Sequence, residues 1–283
     1  MEPKLSHQVY GAIFLFLVLQ PLVVKSRTLK PEFLRNTERA QKGGTLNGLN
    51  HVKKYLKAFG YYPNNDNVDI FKDLFNDFLE SALKSYQQNY NLKVTSKIDP
   101  DTIKAMMIPR CGVTDIIPNL PSNATGETYQ LTYSFLSDVQ GVSSQIIARA
   151  FQKREAVSSF RLYSIKQGAQ ADVRIDSFRN DHGDGIPIGS PRNIFAYAFA
   201  PQDGTFQYNA DKNWSTNPTA PNEVDLESVA VHEMGHIPGL GHSQDEAAIM
   251  FPIIPMGTTK RNRGQGDIYG FKGRFICIKI LNY

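Results

Sequence analysis

The 283-residue chain is 41% hydrophobic and 20% charged, with a formal net charge of +4, a balance that suits one or two folded domains and excludes a wholly disordered polymer. The slight basic excess is not gathered into Lys and Arg runs with interleaved aromatics, so nucleic acid is not expected as a partner. Two cysteines, Cys111 and Cys277, are too few for a disulfide framework.

An apolar stretch over residues 10–19 follows Lys4 and His7. It is too short to span a bilayer and predicts a cleaved secretory signal over residues 1–26, with no membrane span. The expected location is therefore the extracellular space, or the cell wall and extracellular matrix. The sequons at Asn123 and Asn213 suit glycosylation on that route.

Leu46, Leu49, Val52, Tyr55, Leu56 and Phe59 recur at helical spacing until Gly60. After a turn cluster at 64–67, Phe71, Leu74, Phe75, Phe78, Leu79, Ala82, Leu83 and Tyr86 predict a longer second helix. Asp99 and Pro100 supply the cap and first residue of a third, with Ile103, Met106 and Met107 facing inward. Three short helices make a small core, and residues 27–125 are expected to form a propeptide that ends in a Pro-rich linker at 119–128. Residues 126–283 are expected to form a second domain. Its strands are predicted at 131–135, 160–165, 171–176 and 194–200, and a helix begins at Ser143 or Ser144. A further strand is expected at 275–280.

The richest stretch is His232-Glu233-Met234-Gly235-His236, followed by Gly239 and His242. Histidines four apart share a helix face, so His232 and His236 can aim at one metal ion while Glu233 flanks its open side. Gly239 lets the chain turn back and bring His242 in as a third nitrogen ligand. Three imidazoles suit a catalytic zinc with one open position, and a neighbouring carboxylate suits a general base.

These residues resemble the metzincin metalloproteases and, through Ser243, the matrixins; 225–231 resembles the plant-type members. The resemblance implies an α+β catalytic domain with a twisted, mostly parallel sheet, an antiparallel edge strand, an active-site helix and a Met-turn at Met250. The helices at the start resemble the small, three-helix, peptidoglycan-binding-like prodomain of that family. Pro109-Arg110-Cys111-Gly112-Val113-Thr114-Asp115 is similar to its cysteine switch, in which a Cys111 thiolate would fill the open zinc position and switch the site off, and Arg110 and Asp115 would pair to support the loop.

The implied activity is that of a secreted, monomeric zinc endopeptidase, made as a zymogen, opened by an activating protease and acting on extracellular proteins or peptides. Ser228, one turn before His232, is the expected floor of a pocket for an apolar side chain after the cleaved bond. His182 and Asp184 match two structural-zinc positions of the family, but Tyr197 and Gln207 stand where it has histidines. Gly189, Asn209 and Lys212 replace acidic calcium ligands. One catalytic zinc is expected, without structural zinc or calcium. Two other readings compete: a weakly active fold serving as a binding or decoy module, with Pro238 disturbing the active-site helix, and a cell-wall glycan binder working through the prodomain.

Overall fold

Helix α1 (Leu49–Ala58) turns Leu49, Val52, Tyr55 and Leu56 inward, as the spacing of those residues requires. The structure, a computed structural model, describes residue 34 and residues 36–63, 70–116, 130–136, 144–156, 161–179, 193–200 and 203–261. The expected leader, the 64–67 turn, the 119–128 linker with Asn123, the positions His182, Asp184 and Gly189, and the 275–280 strand with Cys277 lie outside the described residues.

Helix α2 (Asp77–Asn89) starts later than the apolar periodicity predicts, because Asn76 caps it by accepting from Leu79 N. Residues 73–75, ahead of that cap, pair with the chain at 44–46. Leu74 bridges Thr45, while Phe75 N donates to Gly44 O and Leu46 N donates to Asp73 O, each at 2.9 Å. Phe71 is left 71% exposed, beneath the Lys54 ammonium. Helix α3 (Pro100–Met107) begins as predicted, with the Asp99 side chain accepting from Thr102 N. Leu56, Phe59, Leu79, Leu83, Tyr86, Ile103 and Met106 close a core between the three helices.

The second core lies against a five-stranded sheet ordered β2 (Arg161–Ser164), β1 (Gln130–Phe135), β3 (Val173–Phe178), β5 (Thr205–Asn209) and β4 (Ala196–Ala198). Neighbouring strands run parallel except for the β4–β5 pair at one edge. The parallel β1–β2 pair needs a crossover, and α4 (Ser144–Glu155) provides it. A two-residue pair, β6 (Trp214–Ser215) and β7 (Val224–Asp225), leads into helix α5 (Leu226–His236).

Helices α4 and α5 share one core with Val173, Ile175, Phe206 and Tyr208 of the sheet. All residues of α5 are buried, so its position could not be read from an amphipathic stripe. Among the described residues no helix is long and apolar enough to cross a membrane.

Leu83 is fully buried in the three-helix core. Leu83→Ala should lower the stability of that unit by about 2–5 kcal/mol, read by denaturant unfolding of the full chain. A loss under roughly 1 kcal/mol would show that the bundle is not held by this core.

Candidate metal centre

Asp225 caps α5 by accepting from Glu227 N at 3.1 Å and Ser228 N at 3.2 Å. Arg261 Nε donates to both Asp225 carboxylate oxygens, at 3.0 and 2.7 Å. The start of the helix is thereby fixed, and His232 and His236 follow one turn apart with ring centroids separated by 5.0 Å. At the other end Gly239 takes φ +87°, a left-handed cap that closes with Gly239 N donating to His236 O at 2.8 Å and Leu240 N donating to Gly235 O at 3.1 Å. Pro238 falls inside this closing turn, outside α5, where a missing N–H disturbs little. The turn carries His242 back until its ring lies 5.3 and 4.9 Å from those of His232 and His236.

The acceptors behind the rings decide their tautomers. His232 Nδ1 lies 2.7 Å from Ile249 O, and His236 Nδ1 lies 2.7 Å from Leu240 O. His242 Nδ1 lies 2.8 Å from Asp115 Oδ1. Carbonyl and carboxylate oxygens accept only, so each Nδ1 carries the proton and each Nε2 keeps a lone pair. Burial lowers the proton affinity of all three rings. The lone pairs point at one another: His236 Nε2 is 3.2 Å from His232 Nε2 and 3.4 Å from Cys111 Sγ, and His242 Nε2 meets no hydrogen-bond partner among the described residues. One ligand atom from each of Cys111, His232, His236 and His242 lies within 4.8 Å of the others. Three neutral imidazoles and a thiol converging in a buried pocket form a donor set that fits tetrahedral zinc.

Glu233 is buried and its two carboxylate oxygens meet no hydrogen-bond partner among the described residues. Burial raises its pKa to about 8, against the opposing pull of the Cys111 thiol and the Ala198 backbone. The Cys111 thiol is likewise pushed well up, by burial first and by the nearby Glu233 second.

Cys111 arrives on an extended segment laid between two walls. Arg110 bridges Ile194 in parallel and Ile253 antiparallel, Cys111 N donates to Pro252 O at 2.9 Å, and Gly112 N donates to Ala196 O at 2.8 Å. A Cβ on Gly112 would come within 2.9 Å of the Ile194 side chain, so a larger residue would have to push Ile194 aside. Arg110 and Asp115 form a bidentate pair, Nη2 to Oδ1 at 2.5 Å and Nη1 to Oδ2 at 3.0 Å. Both side chains are about 1% exposed. The guanidinium stacks 3.6 Å from the Phe59 ring centroid. Tyr61 and Tyr90 donate to Asp115 Oδ2 at 2.7 and 3.1 Å.

A family model described as Matrixin matches residues 124–274, and a peptidoglycan binding domain model matches residues 46–106. The chain belongs to the matrixin family. It is 40% identical over 255 residues to Metalloendoproteinase 1 of Glycine max, spanning 81% of this chain and 82% of that protein. To Metalloendoproteinase 2-MMP of Arabidopsis thaliana it is 31% identical over 317 residues, 93% of this chain and 84% of that one. Interstitial collagenase of Sus scrofa shares 36% over 210 residues, 71% of this chain and 44% of its own. As a matrixin the protein is a metalloendopeptidase of a zinc-dependent family.

Other matrixin positions singled out from the sequence have local partners. Tyr197 and Gln207 face each other across the β4–β5 pair, and the tyrosine hydroxyl bonds to Gln207 Oε1. Ser228 is buried and its hydroxyl accepts from Lys260 N at 2.6 Å. Met250 packs in the core beside Arg154, whose Nη2 lies 3.3 Å from Met250 Sδ and whose Nε donates to Val231 O at 2.7 Å. Neither Arg154 nor the tyrosines around Asp115 announced themselves in the sequence, since no spacing rule links α4 to the Met-turn or residue 61 to residue 115. Asn213 is exposed beside β6.

The Lys212 ammonium bonds to Asn193 Oδ1 and lies 5.5 Å from the Phe195 ring centroid. Burial lowers its pKa from 10.5 to about 8, with Asp211 opposing. Between those values the unfolded chain binds more protons than the folded one, so stability rises with pH across the window. Unfolding free energies should therefore climb from about pH 8 to pH 10 in the parent and lose that climb in Lys212→Met. The same slope in both proteins would contradict the buried position of this ammonium.

Proposed function

We propose that the chain is the zymogen of a secreted zinc endopeptidase, a monomer acting on extracellular proteins or peptides, with residues 1–26 as its signal, 27–125 as propeptide and 126–283 as catalytic domain. One observation carries the reading: three buried imidazoles, each forced by its acceptor to keep a lone pair on Nε2, converge with a thiol from the preceding segment. His232, His236 and His242 would hold a single catalytic zinc, with Cys111 as fourth ligand in the latent state. Zinc held there supplies the Lewis acidity for peptide-bond hydrolysis.

The remaining work falls to the chain itself. Glu233, next to His232 and beside the Cys111 thiol, lies where water enters when the thiol leaves. A carboxylate beside that position suits taking a proton from that water and returning it to the departing amine. The slot between β4 and residues 252–253 already holds an extended backbone on both sides, which supports an extended substrate binding in the same place. With Ser228 at its floor and Pro252, Ile253 and Ile254 as its outer wall, the neighbouring pocket would take an apolar side chain after the cleaved bond. The Tyr197–Gln207 hydrogen bond and the Lys212 ammonium support one zinc per molecule, without structural zinc or calcium.

Glu233→Gln keeps the shape of the side chain and removes its basicity. In prosegment-free enzyme the rate of peptide cleavage should fall by about 10²–10⁴-fold at unchanged zinc content, and undiminished cleavage would rule Glu233 out as the base. Cys111→Ser replaces a strong zinc ligand by a poor one. The uncleaved Ser variant should hydrolyse a quenched peptide that the parent leaves intact, with activity lost on chelation. A variant as silent as its parent would show that latency does not reside in the sulfur.

A further inference from the structure

Three imidazole donors need three acceptors behind them, and the third acceptor comes from outside the catalytic domain. The carbonyls of Ile249 and Leu240 that take the Nδ1 protons of His232 and His236 belong to the same domain as the rings. The partner of His242 Nδ1 is Asp115, 127 residues away in the chain, with the two side chains only 4% and 1% exposed.

We propose that Asp115 is an outer-sphere partner of the metal centre, a prosegment carboxylate that orients and polarises His242, so that the prosegment grips the ion through Cys111 and again from behind His242. This rests on the reading that the three histidines hold zinc. Asp115 is therefore a positioning residue in addition to being half of the ion pair that steadies the loop.

The geometry favours this over an incidental contact. Asp115 Oδ1 accepts from Arg110 Nη2 and His242 Nδ1, and Oδ2 accepts from Arg110 Nη1, Tyr61 and Tyr90. Four of these five hydrogen bonds come from the prosegment, so the carboxylate is held in place independently of the ring it meets. A carboxylate behind a ligating imidazole fixes its tautomer and raises its donor strength, and loss of such a partner weakens metal binding about 10–100-fold. Removal of the prosegment thus takes the sulfur from the ion and the acceptor from His242 in one event. The zymogen is the tighter zinc binder for both reasons, and the freed ring of His242 gains mobility as the site opens.

Zinc affinity, measured by chelator competition on the uncleaved full chain carrying Glu233→Gln to prevent self-cleavage, tests this without reference to activity. Arg110→Gln breaks the ion pair but leaves the carboxylate beside His242, so it reports what a loosened loop alone does. Asp115→Ala should bind zinc about 10–100-fold more weakly than the parent and clearly more weakly than Arg110→Gln. Asp115→Asn, which keeps an oxygen acceptor without the charge, should fall between parent and Ala, and still below Arg110→Gln. Should the Ala variant fail to fold, the Asn variant decides by the same comparison. Equal affinities in the Asp115 and Arg110 variants would overturn the proposal, because the loss would then belong to the loop. A parent chain that binds no zinc would overturn the ligand assignment itself, a failure distinct from that of Asp115.

Discussion

The organising constraint of this molecule is that three neutral imidazoles present their lone pairs to one another in a buried pocket. His232, His236 and His242 can do so only because an oxygen stands behind each Nδ1. Each oxygen makes its own demand on the fold. Ile249 O requires the chain after His242 to return beneath α5, and Ser243 N donating to Met250 O at 2.9 Å ties that return. Leu240 O requires the left-handed cap at Gly239. Asp115 requires the whole preceding segment to be docked.

Docking depends on a buried ion pair whose value is specificity more than stability. An Arg–carboxylate pair out of water barely repays its desolvation unless every remaining donor and acceptor is satisfied. Here much of that satisfaction comes from the helical bundle: the Phe59 ring beneath the guanidinium, Tyr61 and Tyr90 on the carboxylate, and Phe59 O accepting from Asp115 N at 3.1 Å. The pair can form well only when the bundle is folded and in place. A folded bundle is thereby coupled to the position of the Cys111 sulfur, and breaking one partner leaves an uncompensated buried charge.

Around the centre, hydrogen bonds stand at positions where the family resemblance implies metal ligands. Tyr197 and Gln207 join β4 to β5 at paired positions, and Lys212 brings a positive charge of its own to Asn193. Asn193 in turn donates to Met107 O at 2.9 Å and accepts from Arg110 N at 3.2 Å. The edge that flanks the slot is thus braced by side chains that also touch the docked segment.

Local sequence was a good guide wherever the interaction is short-range. Helical spacing located α1 and α3, Asp99 and Pro100 marked a start, and the four-residue interval of His232 and His236 with Gly239 and His242 described most of the candidate metal centre, because helix pitch and a left-handed glycine are properties of a few adjacent residues. The periodicity misled at Leu74, where backbone pairing of residues 73–75 with 44–46 outweighed an apolar stripe, and Phe71 ahead of it stays exposed. Tertiary structure alone decided that Asp115 sits behind His242, that Tyr61 and Tyr90 complete the ion pair, that Arg154 lies against Met250, and that Pro238 falls harmlessly in a cap. The candidate ligands are marked by their spacing along the chain. The acceptors that make those ligands competent come from carbonyls and side chains up to 127 residues away, and only packing brings them within hydrogen-bonding range.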